Sequence, residues 1–377
     1  MRQTNPEVVA AYPITPSTLI VERFSEFVAN GQVDTEFLAV ESEHSALSAC
    51  IGAAAAGARA QTVTSSQGLA LMWEALYVAS GMRLPIVLHC ANRALSAPIN
   101  IHCDHSDTMG ARDSGWVQLY AENGQEAYDN ALMAVRVAEH PEVLLPVLHS
   151  QDGYTVTHSV ERVELLPDEA VQKFLGTYHA VDPLLDTQRP VTYGAMFPPS
   201  ELFEVKRQGV EAMEQAREGI LAVGQEFGQL TGRLYGLLEG YSLEDAEIVL
   251  VLLGSTTGTA RVVVERLREK KIKAGLLKIR SFRPFPGEEV AQALRGRRAV
   301  AVLDRALAPG ASANPLFSDV CMSLLVHGIS VPLVNYVYGI GGRDATPAHL
   351  IHVFTELQEV ADSGKGGARI RYLALRE

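Results

Sequence analysis

Short apolar runs rich in β-branched residues alternate with longer helix-forming stretches along most of this chain. That alternation restricts the fold to parallel strands covered by helices on both faces. Toward the amino terminus the strand candidates are Val8–Tyr12, Phe37–Val40, Gln61–Thr64, Ile86–Cys90 and Val143–Leu148. Helical stretches lie between them around Ser17–Asn30, Ser42–Ala58, Leu69–Ser80 and Gly124–Glu139. Thr192–Glu204, with Pro198 and Pro199, follows neither period and reads as a linker, and Gln208–Arg233 is an amphipathic helix. A second alternation then begins, with strands at Ile248–Leu253, Ala274–Ile279, Ala299–Leu303 and Val331–Val337 and helices at Gly258–Lys270, Glu288–Ala293 and Pro315–Val326. The expected fold class is α/β, with two open parallel-sheet domains over residues 1–191 and 246–377 joined by a linker and long helix over 192–245. At 377 residues the chain is long enough for two such units.

The 32 Lys and Arg against 44 Asp and Glu give a net charge of −12, which repels phosphate backbones, and no basic tract offsets it. No nucleic-acid partner is therefore expected. Charged residues make up 20% of the chain, below the ordinary share of about 25%, which implies that part of the surface is covered by other chains. Cys50, Cys90, Cys103 and Cys321 are too scattered for a disulfide framework, and no two stand at C-x-x-C spacing, so any iron–sulfur cluster is expected on another chain. The start, Met1-Arg2-Gln3-Thr4-Asn5-Pro6, lacks the apolar core of a secretory signal, and the aliphatic run Ile248–Leu253 is far too short for a bilayer. A cytoplasmic protein with no membrane contact is the expectation.

In an open parallel sheet, ligands bind beyond the carboxyl ends of the strands, so the residues that follow each strand matter most. The first strand runs into Pro13-Ile14-Thr15-Pro16-Ser17, where two prolines stiffen the loop that carries the Thr15 hydroxyl. The second runs into Glu41-Ser42-Glu43-His44, the third into Ser65-Ser66-Gln67-Gly68 and the fourth into Ala91-Asn92-Arg93, and all four loops should share one rim. Glu43 heads a helix of small residues. A carboxylate there is commonly a dipole-stabilised cap, whereas a catalytic use needs burial at an interface and proton exchange with a heterocycle. Arg93 leaves the end of an apolar strand, where its guanidinium suits either a ligand carboxylate or a local partner such as Asp104 or Asp107. Ser66, Gln67 and Gly68 could turn backbone N–H groups toward an anion or a ring, although a tight strand-to-helix turn explains Gly68 equally. His102, Asp104, His105 and Asp107 invite a metal reading, but such a loop more often forms hydrogen bonds among its own side chains, and no metal site is assigned. The turns Gly254–Gly258 and Gly339–Asp344 match neither the dinucleotide fingerprint nor the phosphate loop.

Taken in order, several segments resemble one family. They are Ala11-Tyr12-Pro13-Ile14-Thr15-Pro16-Ser17, Glu41-Ser42-Glu43-His44-Ser45-Ala46, Thr64-Ser65-Ser66-Gln67-Gly68-Leu69, Ala91-Asn92-Arg93-Ala94 and Asp104-His105-Ser106-Asp107, followed by Phe197-Pro198-Pro199, Phe282-Arg283-Pro284-Phe285-Pro286 and Gly341-Gly342-Arg343-Asp344. The set resembles the alpha subunits of the 2-oxoacid:ferredoxin oxidoreductases, most closely those of the pyruvate synthase type. The resemblance implies a thiamine-diphosphate pyrimidine-type domain followed by a transketolase C-terminal-like domain. It also implies oxidative decarboxylation of a small 2-oxoacid to acyl-coenzyme A and CO2, with electrons passed to ferredoxin. Glu43 would hydrogen-bond the cofactor's aminopyrimidine ring, with Ser66, Gln67 and Gly68 beside it, and Arg93 would hold the substrate carboxylate with Thr15 as a second donor. A separate beta chain would share the thiamine diphosphate and bind its diphosphate with Mg2+, the [4Fe-4S] clusters would lie on the beta and delta chains, and beta, gamma and delta subunits would be partners in the complex. Gly254–Gly258 and the loop after Leu303 are candidate positions for coenzyme A. Two alternatives stay open at this point: the same chemistry on a branched-chain or aryl 2-oxoacid, and a non-catalytic scaffold subunit.

Overall fold

The computed structural model describes residues 1–376, which form two twisted sheets wrapped by helices. The first unit runs β1 (Val8–Ala11), α1 (Thr18–Ala29), β2 (Glu36–Ala39), α2 (Glu43–Ala56), β3 (Ala60–Thr64), α3 (Ser66–Leu71), α4 (Trp73–Gly81) and β4 (Val87–Asn92). It continues with α5 (Ser106–Gly110), β5 (Val117–Ala121), α6 (Gly124–Ala138), β6 (Val147–Asp152), α7 (Asp168–Leu175) and the long α8 (Leu202–Thr231). The second unit comprises β7 (Leu238–Tyr241), β8 (Ile248–Leu252), α9 (Thr256–Glu269), β9 (Ala274–Ile279), β10 (Ser281–Arg283), α10 (Gly287–Leu294), β11 (Ala299–Asp304), α11 (Pro315–Val326), β12 (Leu333–Val337), α12 (Pro347–Ser363) and β13 (Gly367–Tyr372).

Strand order in the first sheet is β10-β5-β6-β4-β3-β1-β2, and in the second β13-β12-β11-β8-β9-β7. Parallel pairs dominate both sheets, as the alternation requires. Two edges depart from the purely parallel expectation. β7 lies antiparallel to β9, and β10, although it belongs to the second half of the sequence, crosses over to pair antiparallel with β5 of the first sheet. A strand of only three residues cannot be stable alone, so the Ser281-Phe282-Arg283 segment completes whichever edge the packing brings to it. Phe282 is fully buried there and packs against Tyr120, with ring centroids 6.2 Å apart. Another difference is β6. The apolar run Val143–Leu148 was the strand candidate, yet the strand begins at Val147 and continues through the polar His149-Ser150-Gln151-Asp152.

Each face of the first sheet has its own core. On one, Ala46, Leu47, Cys50 and Ala54 of α2 interlock with Leu69, Met72 and Leu76 from the neighbouring helices. The small side chains of α2 let it sit close to β1 and β3, and the helix ends at Gly57, whose φ of +106° only glycine adopts freely. On the other face, Leu132, Met133 and Val137 of α6 meet Ala216, Ile220 and Phe227 of α8, so the long helix is a wall of this unit. Among the described residues no helix is long and apolar enough to cross a membrane.

Candidate functional site

The ends of β1, β2, β3, β4 and β6 open onto one rim, where the polar loops singled out above meet in a continuous run of contacts. Glu43 is the first residue of α2, but it does not cap the helix. Ser42 does, its hydroxyl accepting the Ser45 N–H at 3.2 Å. The Glu43 carboxylate is thereby left without a hydrogen-bond donor among the described residues, although the residue is only 7% exposed. Gly68 lies directly against it. A Cβ on Gly68 would fall 2.8 Å from both Cγ and Oε1 of Glu43 and 2.3 Å from Thr64 Oγ1. Gly68 sits inside α3 with ordinary backbone angles, so its glycine answers to that close approach and not to the turn. The buried Thr64 hydroxyl also has no partner.

Arg93 follows β4 and is buried. Its Nε donates to the Asn100 carbonyl at 3.0 Å and its Nη1 to the Thr15 carbonyl at 2.9 Å. The structure therefore joins Arg93 and Thr15, through the Thr15 backbone, and leaves the exposed Thr15 side chain free. Among the described residues no carboxylate pairs with the guanidinium: Asp107 takes the Arg93 backbone N–H at 3.0 Å, and Asp104 accepts from Ser106 and Gly341. Among the buried side-chain cations of Arg and Lys, Arg280, Arg305 and Lys278 each have a carboxylate, and Arg93 has none.

Of Ser66, Gln67 and Gly68, Gly68 lies against Glu43, and part of the backbone of the three is already committed. Ser66 N donates to Asp107 Oδ2 at 3.1 Å and Gly68 N to the Ser65 carbonyl at 2.9 Å, so neither N–H is free for an anion. The Ser66 hydroxyl donates to the Ala94 carbonyl at 2.6 Å and contacts Gln67 Oε1. Asp107 gathers this part of the rim, accepting also from Asn92 Nδ2 at 2.9 Å and Thr108 N at 2.8 Å. Burial pushes its carboxyl up to about 6, against the opposing pull of those donors.

The loop that carries His102 to Asp107 is hydrogen-bonded to the second unit, His105 N donating to the Arg305 carbonyl at 2.7 Å. His105 Nε2 meets Asp152 Oδ1 at 2.8 Å, and Asp152 Oδ2 accepts from Ser255 N at 3.0 Å and Arg305 Nη1 at 2.8 Å. Burial raises the Asp152 carboxyl, but the His105 and Arg305 charges and the hydrogen bonds from His105 and Ser255 outweigh it and hold the group well below the usual carboxylate range. Cys103, His105 and Asp152 have the spacing of a metal triad, as do Glu122, Glu126 and Glu239. Each set already holds a protein cation: Arg305 sits on the first, and Lys278 on the second, 2.7 Å from Glu122. Gly254 approaches Asp152 so closely that a Cβ would lie 3.0 Å from its carboxylate, and Asp304 accepts the Leu316 and Phe317 N–H groups. Both turns considered for coenzyme A are thus built into this contact.

Asp107 was considered from the sequence only as a partner of Arg93 or a metal ligand, and Asp152 and Arg305 were not singled out. Asp152 was hidden because His149-Ser150-Gln151-Asp152 reads as loop, while Arg305 was visible only as the residue after a strand.

A buried carboxylate without a donor, an orphaned hydroxyl beside it and an unpaired guanidinium on the same rim fit a flat nitrogen heterocycle and an anionic co-reactant. The architecture is a pair of parallel-dominated sheets covered by helices. The fold aligns with a 2-oxoglutarate:ferredoxin oxidoreductase from Magnetococcus marinus, solved with 2-oxoglutarate, coenzyme A and succinyl-CoA bound, at a TM-score of 0.71 and 18% identity over 94% of this chain. This chain spans 62% of that one. It also aligns with a split-gene transketolase, as an inactive beta4 tetramer, at a TM-score of 0.55 and 13% identity over 95% of this chain and 94% of that one.

Sequence comparison narrows the class. Residues 1–225 match the family described as pyruvate flavodoxin/ferredoxin oxidoreductase, thiamine diphosphate-binding, and residues 246–350 match the pyruvate:ferredoxin oxidoreductase core domain II. A pyruvate synthase subunit PorA of Thermotoga maritima is 53% identical over 100% of this chain and 95% of its own length. The PorA subunit of Methanocaldococcus jannaschii is 46% identical over 94% of this chain and 91% of its own, and a ketoisovalerate oxidoreductase subunit VorA of Pyrococcus horikoshii is 41% identical over 98% and 93%. The chain belongs to the pyruvate:ferredoxin oxidoreductase family.

Proposed function

We propose that this chain is the alpha subunit of a thiamine-diphosphate-dependent pyruvate:ferredoxin oxidoreductase, in which Glu43 faces the cofactor's aminopyrimidine ring and Arg93 holds the substrate carboxylate. The observation that carries the reading is the pair of incomplete buried charges on one rim, Glu43 without a donor and Arg93 without a carboxylate. Leaving such groups unsatisfied in a folded chain is costly unless something outside it completes them.

Bound thiamine diphosphate supplies the carbanion-stabilising centre at which a 2-oxoacid loses CO2. The work of this chain is positional. Glu43 shares a proton with a ring nitrogen, and Thr64 and Gly68 fix where its carboxylate can stand. Arg93, already anchored by two carbonyls, turns its remaining N–H groups to the carboxylate of the 2-oxoacid, and the Thr15 hydroxyl is placed to donate beside it. The cofactor's diphosphate with its Mg2+, the [4Fe-4S] clusters and the ferredoxin contact belong to beta, gamma and delta partner subunits. Coenzyme A accepts the acyl group, a reading supported by the ligands named for the M. marinus structure. Pyruvate is preferred over a branched 2-oxoacid because the 53% identical relative is a pyruvate synthase subunit, against 41% for the ketoisovalerate enzyme.

The test is co-expression with the companion chains, followed by thiamine and iron analysis and turnover of pyruvate against 2-oxoisovalerate with coenzyme A and a dye. Arg93→Ala should cost about 2–4 kcal/mol of transition-state stabilisation, roughly 30- to 900-fold in kcat/KM, while the complex stays assembled. Wild-type pyruvate oxidation by that variant overturns the assignment of Arg93.

A further inference from the structure

The glycine turn of the second unit, Gly339–Gly342, lies far from Arg93 in sequence and takes no part in the mechanism above, yet it is wired to that residue. Asn100 is the connection. Its Nδ2 donates to the Gly341 carbonyl at 3.0 Å, its Oδ1 accepts the His102 N–H at 2.7 Å, and its own carbonyl accepts Arg93 Nε at 3.0 Å. The side chain is therefore fixed at both ends, and the backbone oxygen that aims the guanidinium is fixed with it.

The turn holds the loop at further points. Gly341 N donates to Asp104 Oδ2 at 3.1 Å, and Gly342 N donates to the Cys103 carbonyl at 2.7 Å. Gly341 and Gly342 have φ of +59° and +80°, and a Cβ on either would collide with the loop, 2.6 Å from Asn100 Nδ2 and 2.4 Å from His102 Cβ. Beneath the turn, Arg305 Nε donates to the Gly339 carbonyl at 3.2 Å while Nη1 of the same side chain grips Asp152. The second unit is thus tied through one arginine to both the turn and the first sheet.

We propose that Asn100 is a positioning residue through which the Gly339–Gly342 turn of the second unit sets the direction of the Arg93 guanidinium, and hence the affinity of the site for the substrate carboxylate. The proposal rests on the reading that Arg93 binds that carboxylate. A guanidinium held by two carbonyls has one tether on each side, Thr15 from the loop after the first strand and Asn100 from the loop after β4, and the second unit reaches only the latter, through Gly341. Loosening the Asn100 tether lets the fork swing about Nη1, and a displacement near 1 Å is enough to lose most of a positioned contact.

The experiment uses the assembled complex carrying Asn100→Ala, Gly341→Ala or Arg93→Ala, and measures the Kd of oxamate, an unreactive carboxylate of pyruvate's size, by calorimetry, beside KM and kcat for pyruvate. Asn100→Ala and Gly341→Ala should each weaken oxamate about 10-fold or more and raise KM by more than they lower kcat, and Asn100→Ala should leave thiamine content and the thermal midpoint near wild type. Because Asn100 is half-buried and truncation leaves its carbonyl in place, that variant folds even where the glycine variant does not. If Arg93→Ala weakens oxamate and Asn100→Ala does not, the relay is wrong and the reading of Arg93 stands. If Arg93→Ala itself leaves oxamate binding unchanged, both fall together.

Discussion

Gly68→Ala is the sharpest probe of the ring-facing side of the site, because one added methyl tests whether the position of Glu43 matters. The new Cβ would stand 2.3 Å from Thr64 Oγ1 and 2.8 Å from Glu43 Oε1 and Cγ. These distances fall about 1 Å and about 0.6 Å inside ordinary contact, and two neighbours must yield. Thr64 is fully buried at the end of an interior strand, and its β-branched side chain is stiff about Cα–Cβ. Glu43 has the freer route, outward from the rim. The expected cost in stability is about 1–3 kcal/mol, the ordinary range for overpacking. The expected cost in function is larger than that implies, since a carboxylate displaced by a fraction of an ångström no longer meets a fixed ring nitrogen, and thiamine affinity should fall about 10-fold or more. Chemical denaturation of the full chain reads the first number, and titration of thiamine diphosphate into the depleted complex reads the second. Gly68→Ala with Thr64→Ala should recover much of the stability and little of the affinity, because the clash with Glu43 remains. Wild-type thiamine affinity in the single variant, with its stability loss confirmed, refutes the placement of the ring against Glu43.

Three further outcomes follow from the same geometry. Thr64→Val removes a buried hydroxyl that has no partner among the described residues, so the free chain should be unchanged or about 1 kcal/mol more stable by denaturant titration, while, with the ring placed as proposed, thiamine affinity falls. Asp152→Ala strips the carboxylate from Arg305 and His105 in a fully buried contact and should cost about 3–5 kcal/mol in urea unfolding; a loss below about 1 kcal/mol would mean the two units do not depend on it. Asp304, raised by burial to about 7 from 3.8, gives a pH signature. The native state favours its protonated form, so its contribution to stability is fully present below about pH 4 and is lost as pH rises through about 7. Stability measured relative to Asp304→Asn should therefore decline over that window and be flat above it, and a rising difference would reverse the assigned sign.

Much of the fold was legible because each unit is built from local periodicity. Strands such as Ile248–Leu252 are apolar throughout, and helices such as Pro315–Val326 begin at their proline. The α12 helix was missed although Thr346 and Pro347 form a regular start signal, and the Thr346 hydroxyl indeed accepts the His349 N–H. β10 was illegible for a physical reason: three residues have no period, and their partner lies in another sheet. The site divides along the same line. Thr15, Glu43 and Arg93 follow strands, so a rule about strand ends finds them, and that rule cannot see that Asn100 bonds a residue 241 positions away. Nor could it reveal that Gly68 is glycine on account of Glu43, since a Gly after a strand has an adequate local explanation in the turn.

The tethering of Arg93 explains how a buried cation can wait without a counter-ion. Carbonyl oxygens satisfy two of its N–H groups and leave its charge intact, whereas a local carboxylate would satisfy the charge and would have to be displaced before any substrate could bind. Asp107, close enough to have served, is occupied by backbone and amide donors from Ser66, Asn92, Arg93 and Thr108. An incoming carboxylate therefore gains a charge-assisted contact without breaking an internal one. The same economy governs Glu43, where Ser42 takes over the capping that a carboxylate at a helix start would otherwise perform. In both places a neighbouring residue discharges the structural duty, and the charged group is left with its full interaction energy for a ligand from outside the chain.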